Sequence, residues 1–177
     1  CEFVGLDWRA PNTVEGNGKV TRKQGNGLDP NLFQPESFDG IVSVSAIGHF
    51  GLGHYGSDGN KDPLDPDGDS KIIANCWRWL TPGGWLYFDV PYDPTGYRAH
   101  GTEYRAYDDD AIEHRITAEA MQIVQANGRD WGVPLIFERW RGYVRSGGQE
   151  GTLIDKPTEQ PSPWALCFYV GMCWVKA

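Results

Sequence analysis

The stretch Phe38–Tyr92 decides the fold. It opens FDGIVSVSAIGHFGLGHYG (38–56), passes through the acidic loop KDPLDPDGD (61–69) and closes IIANCWRWLTPGGWLYFDVPY (72–92). Ile41, Val42, Val44 and Ile47 form a near-continuous apolar run, which predicts a strand covered on both faces. Ile72, Ile73, Cys76 and Leu80 recur at helical spacing, so a helix is expected there, with Trp77 and Trp79 flanking its buried stripe. Asp67 or Asp69 is expected to cap its start. Leu80-Thr81-Pro82-Gly83-Gly84 ends it, because Pro82 cannot continue a helix and the glycines turn the chain. Trp85–Val90 reads as a second buried strand. Strand, helix and strand in this order predict a right-handed parallel crossover.

The chain has 177 residues and a formal charge of −8. That length is enough for one domain with a sizeable core, and residues 1–177 are read as one. The acidic balance argues against a broad nucleic-acid footprint or an anionic membrane surface as partner. Arg139, Arg141 and Arg145 form the one basic cluster, spaced for a solvated strand face. No apolar run approaches the roughly 20 residues a membrane span needs. Cys1, Cys76, Cys167 and Cys173 include no CxxC pair. Free thiols in a reducing cytoplasm are therefore expected, and no zinc ribbon. The acidic loop fails as a calcium site: with Gly68 at the sixth position, Pro63 and Ala74 stand where carboxylates belong.

Upstream, CEFVGLDW (1–8) reads as a strand ending in Asp7, and Lys19–Gln24 as a second one followed by GNGLD (25–29). An acid at such a strand end can accept both hydroxyls of a ribose, or simply cap the next turn; both readings stand. Gly16-Asn17-Gly18 lacks the strand before it and the helix after it that a phosphate loop needs. Ligands of open α/β sheets lie beyond the carboxyl ends of strands. Ser45 to His49 is therefore the chemically exposed stretch. His49 is either a general base or a histidine satisfied at a strand end. His54, in a glycine-rich loop, is the weaker candidate, and a two-histidine metal site is not supported. Downstream, YRAHGTEYRAY (97–107) is polar and aromatic, suited to a substrate pocket beside Tyr92. A helix is expected from Asp108 to about Ala126, and strands over Leu135–Val144 and Trp164–Val175.

Together these residues resemble class I S-adenosylmethionine-dependent methyltransferases. The marks are the acids at Asp7 and Asp29, FDGIVSVSAIGH, and LTPGGWLYFDVP. A narrower resemblance is to the methyltransferase-like DUF268 group, carried by SAIGHFGLGHYG (45–56), DPLDPDGD (62–69), LTPGG (80–84) and RAHGTEYRAY (98–107). It implies a Rossmann-like fold, a mostly parallel sheet with helices on both faces, and S-adenosylmethionine as cofactor. It places the ribose at Asp7, the adenine at Leu28 and Asp29, and the methionine part along Ser45, Ala46 and Ile47. On the acceptor side His49 is expected as the catalytic base, with His54, Tyr92, His100, Arg105 and Tyr107 shaping the substrate pocket; the resemblance itself names no acceptor, and a small polar one such as a sugar is read from the polar 97–107 segment and the acidic charge. The chain departs from the group at Gly48, where a Glu is common, and in the insertion Ser57–Asn60. It also lacks the glycine-rich first motif, so the first strand and helix of the fold are expected to be missing. A non-catalytic binding or scaffold module is the competing reading.

Overall fold

The structure is a computed structural model that describes residues 2–8, 20–54, 63–126, 135–146, 152–153 and 165–176, the backbone alone over 135–146, 152–153 and 165–170. Gly16-Asn17-Gly18, the insertion Ser57–Asn60, and the side chains of the arginine cluster, Cys1 and Cys167 lie outside what is described.

β1 (Phe3–Asp7) and β2 (Val20–Gln24) pair in parallel as a sheet of their own. β3 (Phe38–Ser43) leads through a 3-10 turn (Ile47–His49) and a loop into α1 (Gly68–Trp79), and β4 (Leu80–Tyr92) returns beside β3 in parallel. The expected strand–helix–strand unit is therefore present. A hairpin of β5 (Arg98–His100) and β6 (Tyr104–Ala106) follows. Next comes a continuous helical run of α2 (Asp109–Ala111), a π-helical segment (Ile112–Glu119) and α3 (Ala120–Ala126). Asp108 caps it, its carboxylate accepting the Ala111 N–H at 2.8 Å. β7 (Leu135–Ser146), β8 (Thr152–Leu153) and β9 (Ala165–Val175) complete a five-stranded sheet in the order β3-β4-β9-β7-β8. The sheet is mixed. β3 and β4 are parallel, whereas β9 runs antiparallel to both β4 and β7.

Leu86, Phe88 and Val90 alternate along β4 and face the helices; Met172 and Trp174 join them from β9 by register. Against this face pack Ile72, Ile73, Cys76 and Trp77 of α1, with Ile116, Ala120 and Val124. Trp174 meets Phe88 edge-on at 5.0 Å and Trp77 at 6.2 Å, the T-shaped geometry that aromatic quadrupoles favour. Trp77 and Trp79 do not flank the stripe as expected; both are buried. Trp79 has a separate socket, where its ring meets Phe33 at 5.0 Å and its indole N–H donates to the Pro30 carbonyl at 3.2 Å. The Leu80–Gly84 stretch also differs from a simple turn. Leu80 is already extended and pairs with Phe38, and the next pair is Gly40 with Trp85. Four residues thus bulge opposite Asp39, with Gly83 at φ 77°.

Among the described residues the helices lie on one face only. Val42, Val44 and Trp85 are exposed on the opposite side, against the expectation of a strand covered on both faces. The edge of β3 away from β4 and the edge of β1 away from β2 are not paired with each other; they form opposing walls of one cavity. No helix among the described residues is long and apolar enough to cross a membrane.

Candidate active site

The cavity holds about 640 Å³, within the range of small-molecule sites. Its lining includes the chain at the carboxyl ends of three strands: Asp7 of β1, Gly25–Gly27 after β2, and Ser43–Ala46 with His49 at and after the end of β3. Its floor is apolar, with Phe50, Ile72 and Cys76 contributing. Asp7 is the last residue of β1, exposed at the rim, and its carbonyl accepts the Gly25 N–H at 3.0 Å, tying the two strand ends together.

Gly27 is buried because the wall is tight there: a Cβ would stand 2.8 Å from both Ile72 Cδ1 and Phe50 Cε1. Asn75 of α1 fixes the same residue by donating Nδ2–H to its carbonyl at 2.9 Å. Asn26 accepts the Leu28 N–H, and Asp29 accepts the Asn31 N–H, each at 2.9 Å, so both act as local turn residues.

His49 lies at the end of the 3-10 turn, its N–H bonded to the Ala46 carbonyl at 3.0 Å. Its Nδ1 is hydrogen-bonded to the Glu103 carbonyl of the β5–β6 hairpin. A carbonyl can only accept, so Nδ1 carries the proton, and in the neutral ring the lone pair is on Nε2. The hairpin thus sets the ring tautomer of His49, and the residue lines the cavity.

Behind His49 stands a buried ionic cluster centred on Asp69. Asp69 is completely buried on the first turn of α1. One oxygen accepts the Tyr107 hydroxyl and the Arg115 Nε–H, both at 2.7 Å; the other accepts an Arg115 NH2 proton at 2.7 Å. Arg105, also buried, stands 3.7 Å away and donates to the carbonyls of Phe50, Asp65 and Pro66. The cluster fastens the loop carrying His49 to β6 and to the π segment. Burial and the Asp69 charge push the Tyr107 hydroxyl well above its ordinary range. Burial works against the Arg115 charge, yet the Asp69 bonds outweigh it and hold the guanidinium protonated.

The structure thus brings Asp7, Ser45, Ala46 and His49 to one cavity. Leu28 and Asp29 belong to the turn beside it, and Ile47 points into the core, fully buried. Arg105 and Tyr107 are in the Asp69 cluster. Tyr92 is buried, its hydroxyl 3.1 Å from Asp109 Oδ2. His100 is on the exposed hairpin, stacked on Tyr104 at 4.5 Å, and His54 is exposed on the loop beyond the His49 turn. The sequence reading missed Asp69 as a buried hub, and it missed Arg115. Its one available signal was the concentration of Asp, Arg and Tyr in the two segments that now meet. No group of three or more metal-ligating side chains occurs among the described residues.

Residues 32–106 match the family described as "Caenorhabditis protein of unknown function, DUF268". No curated protein sequence matches the chain. Among solved structures it resembles the Burkholderia thailandensis 1,6-didemethyltoxoflavin-N1-methyltransferase, solved with 1,6-didemethyltoxoflavin and S-adenosylhomocysteine bound. That likeness has 16% identity and a TM-score of 0.58, and covers 98% of this chain and 60% of that one. It also resembles an S-adenosylmethionine-dependent methyltransferase of Methanosarcina mazei, with 16% identity and a TM-score of 0.50 over 98% of this chain and 81% of that one. The chain therefore has the Rossmann-like methyltransferase fold, and spans about three-fifths of the length of the Burkholderia enzyme.

Proposed function

We propose that the chain is an S-adenosylmethionine-dependent methyltransferase domain acting on a small polar acceptor. The observation that carries this reading is the convergence of Asp7, at the end of β1, and Ser45, Ala46 and His49, after β3, on one cavity. The residues present suit the cofactor. Asp7 supplies an acceptor-only carboxylate for a ribose diol. Gly27, Phe50 and Ile72 form a tight apolar wall for an adenine. Ser45 and Ala46 line the cavity where the amino-acid end would lie.

When bound, the cofactor supplies a methyl group on a positively charged sulfur. The chain's own residues do the rest. The Asp7 and Gly27 walls hold the nucleoside, and the apolar floor excludes water. His49 takes the acceptor's hydroxyl proton on Nε2, while Glu103 holds the ring through Nδ1. The β5–β6 hairpin that supplies this carbonyl also presents His100 and Tyr104, which suit a sugar or similar polar metabolite. A second reading, a non-catalytic binding module, is favoured by one feature: Phe3, Val4, Val42 and Val44 are exposed in the same cavity.

Calorimetric titration with S-adenosylhomocysteine separates the two. The parent chain is expected to bind, and Asp7→Ala to weaken binding roughly tenfold or more, as the loss of a charge-assisted bond would. A folded chain that does not bind the nucleoside overturns the enzyme reading.

A further inference from the structure

The chain leaves β3 at Ser43 and must turn sharply to enter the 3-10 turn that carries His49. Ser45 makes that turn, with φ 52°, in the left-handed region. A serine there bears a conformational cost that glycine does not. Its backbone N–H is gripped by Asp89, whose Oδ1 accepts it at 2.5 Å. The sheet explains how Asp89 reaches this position. Ser43 pairs with Phe88, so the next residue along β4 stands beside the end of β3. Asp89 is half-buried and outside the cavity lining, whereas Ser45 and Ala46 are in it. A carboxylate accepting a backbone N–H is among the stronger hydrogen bonds, enough to offset one left-handed residue.

We propose that Asp89 is a positioning residue. From the neighbouring strand it holds Ser45 left-handed, and so sets where the Ser45–Ala46 backbone and the His49 turn stand in the cavity. The inference rests on the reading that this cavity takes S-adenosylmethionine, and assigns control of its β3 wall to a side chain behind that wall. Ser45 carries the strain because Asp89 stabilises it; with glycine at position 45 the turn would not need Asp89.

The test uses Asp89→Ala, Asp89→Asn, Ser45→Gly and the double variant Asp89→Ala/Ser45→Gly in the full chain. Two quantities are read: S-adenosylhomocysteine affinity by calorimetry, and hydrogen exchange at the Ser45 amide by NMR. Asp89→Ala is expected to weaken binding roughly 10- to 100-fold, as misplacement of a site by about an ångström does, and to abolish Ser45 amide protection. Asp89→Asn, which keeps a neutral acceptor, falls between. The double variant returns affinity to near the parent value, because glycine adopts the turn unaided. A carboxylate with a merely structural role would lower the melting temperature in Asp89→Ala, and glycine at position 45 would not restore affinity; that result overturns the proposal. So does parent-like affinity with parent-like Ser45 protection in Asp89→Ala. Should the parent chain itself fail to bind, the cofactor reading falls separately. Ser45 exchange then decides: loss of protection in Asp89→Ala supports the grip, and unchanged protection refutes it.

Discussion

Asp69 and Asp67 are two residues apart, and either could cap α1 by sequence. The fold gives them different surroundings, although both face Arg115, Asp67 at 3.7 Å from the exposed side and Asp69 at 2.7 Å in the interior. Asp67 occupies the cap position without a side-chain hydrogen bond to the helix, whereas Asp69 is fully buried among Tyr107, Arg105 and Arg115. Removing the charge of a buried ion whose partners remain is costly, because two guanidinium groups then lose their compensation. Asp69→Asn is therefore expected to destabilise the fold by about 3–5 kcal/mol. Asp67→Asn, at an exposed site, should stay within about 0.5 kcal/mol. Urea unfolding of both variants checks the contrast, and equal midpoints would refute the hub. This also shows the limit of sequence pattern for the candidate site. Asp7 and His49 could be placed beside the cavity because strand ends and glycine-rich loops leave local marks. The Asp69 cluster joins residues 38 and 46 positions apart, and no local periodicity records that. The same holds for Asp89, read only as part of an apolar strand, whose partner Ser45 is 44 positions away.

At the scale of elements, α1 is held at its first residue. A Cβ on Gly68 would stand 2.5 Å from the Phe50 carbonyl oxygen and 2.8 Å from its carbon. These are backbone atoms, so neither can rotate away, and the helix start and the His49 loop would have to part. Gly83 is the opposite case: its φ of 77° favours glycine, but a Cβ there meets nothing within 4 Å. Gly83→Ala should cost about 1–2 kcal/mol, the left-handed penalty alone. Gly68→Ala should cost about 1–3 kcal/mol through overpacking and, in addition, weaken S-adenosylhomocysteine binding, since Phe50 and His49 would move together. Paired melting curves and titrations test this; a Gly68→Ala chain with parent-like affinity would show that the helix start and the site are independent. The strand–helix–strand unit around Gly83 was legible, whereas the glycines expected to turn the chain instead form a bulge within β4. What was not legible is that β4 begins at Leu80, before the glycines. That pairing depends on Phe38 across the bulge. The π register at Ile112–Glu119 was likewise hidden. It coincides with the segment where Arg115 turns to Asp69 and Ser70 donates to the Arg115 carbonyl at 2.9 Å, contacts with α1 that no local pattern records.

For the whole molecule, the decisive feature is the uneven cover of its sheets. One face of β4 is packed with Leu86, Phe88 and Val90, all completely buried. Around the cavity, Phe3 of β1 is 58% exposed and Val42 and Val44, on and after β3, are 59% and 63%, and the β1 and β3 edges do not pair with each other. The apolar run at Ile41–Ile47 that signalled a doubly covered strand was thus read correctly as a strand, yet half of its cover is not supplied by the described residues. Exposed apolar side chains beside an unpaired strand edge make a template for pairing with another chain. The net charge of −8 opposes close approach of copies, but it is screened beyond about 10 Å in 0.1 M salt. Self-association that strengthens with added salt is therefore expected of the 177-residue chain. Val42→Lys places a charge on the exposed side of β3 without touching the packed face, and natural edges use lysine in this way. Light scattering across a concentration series should show the parent chain growing in apparent mass and Val42→Lys remaining monomeric, with unchanged melting temperature. Monomeric behaviour of the parent at high salt would mean that the β3 edge is not an open template in solution, and the apolar exposure on that wall would need another explanation.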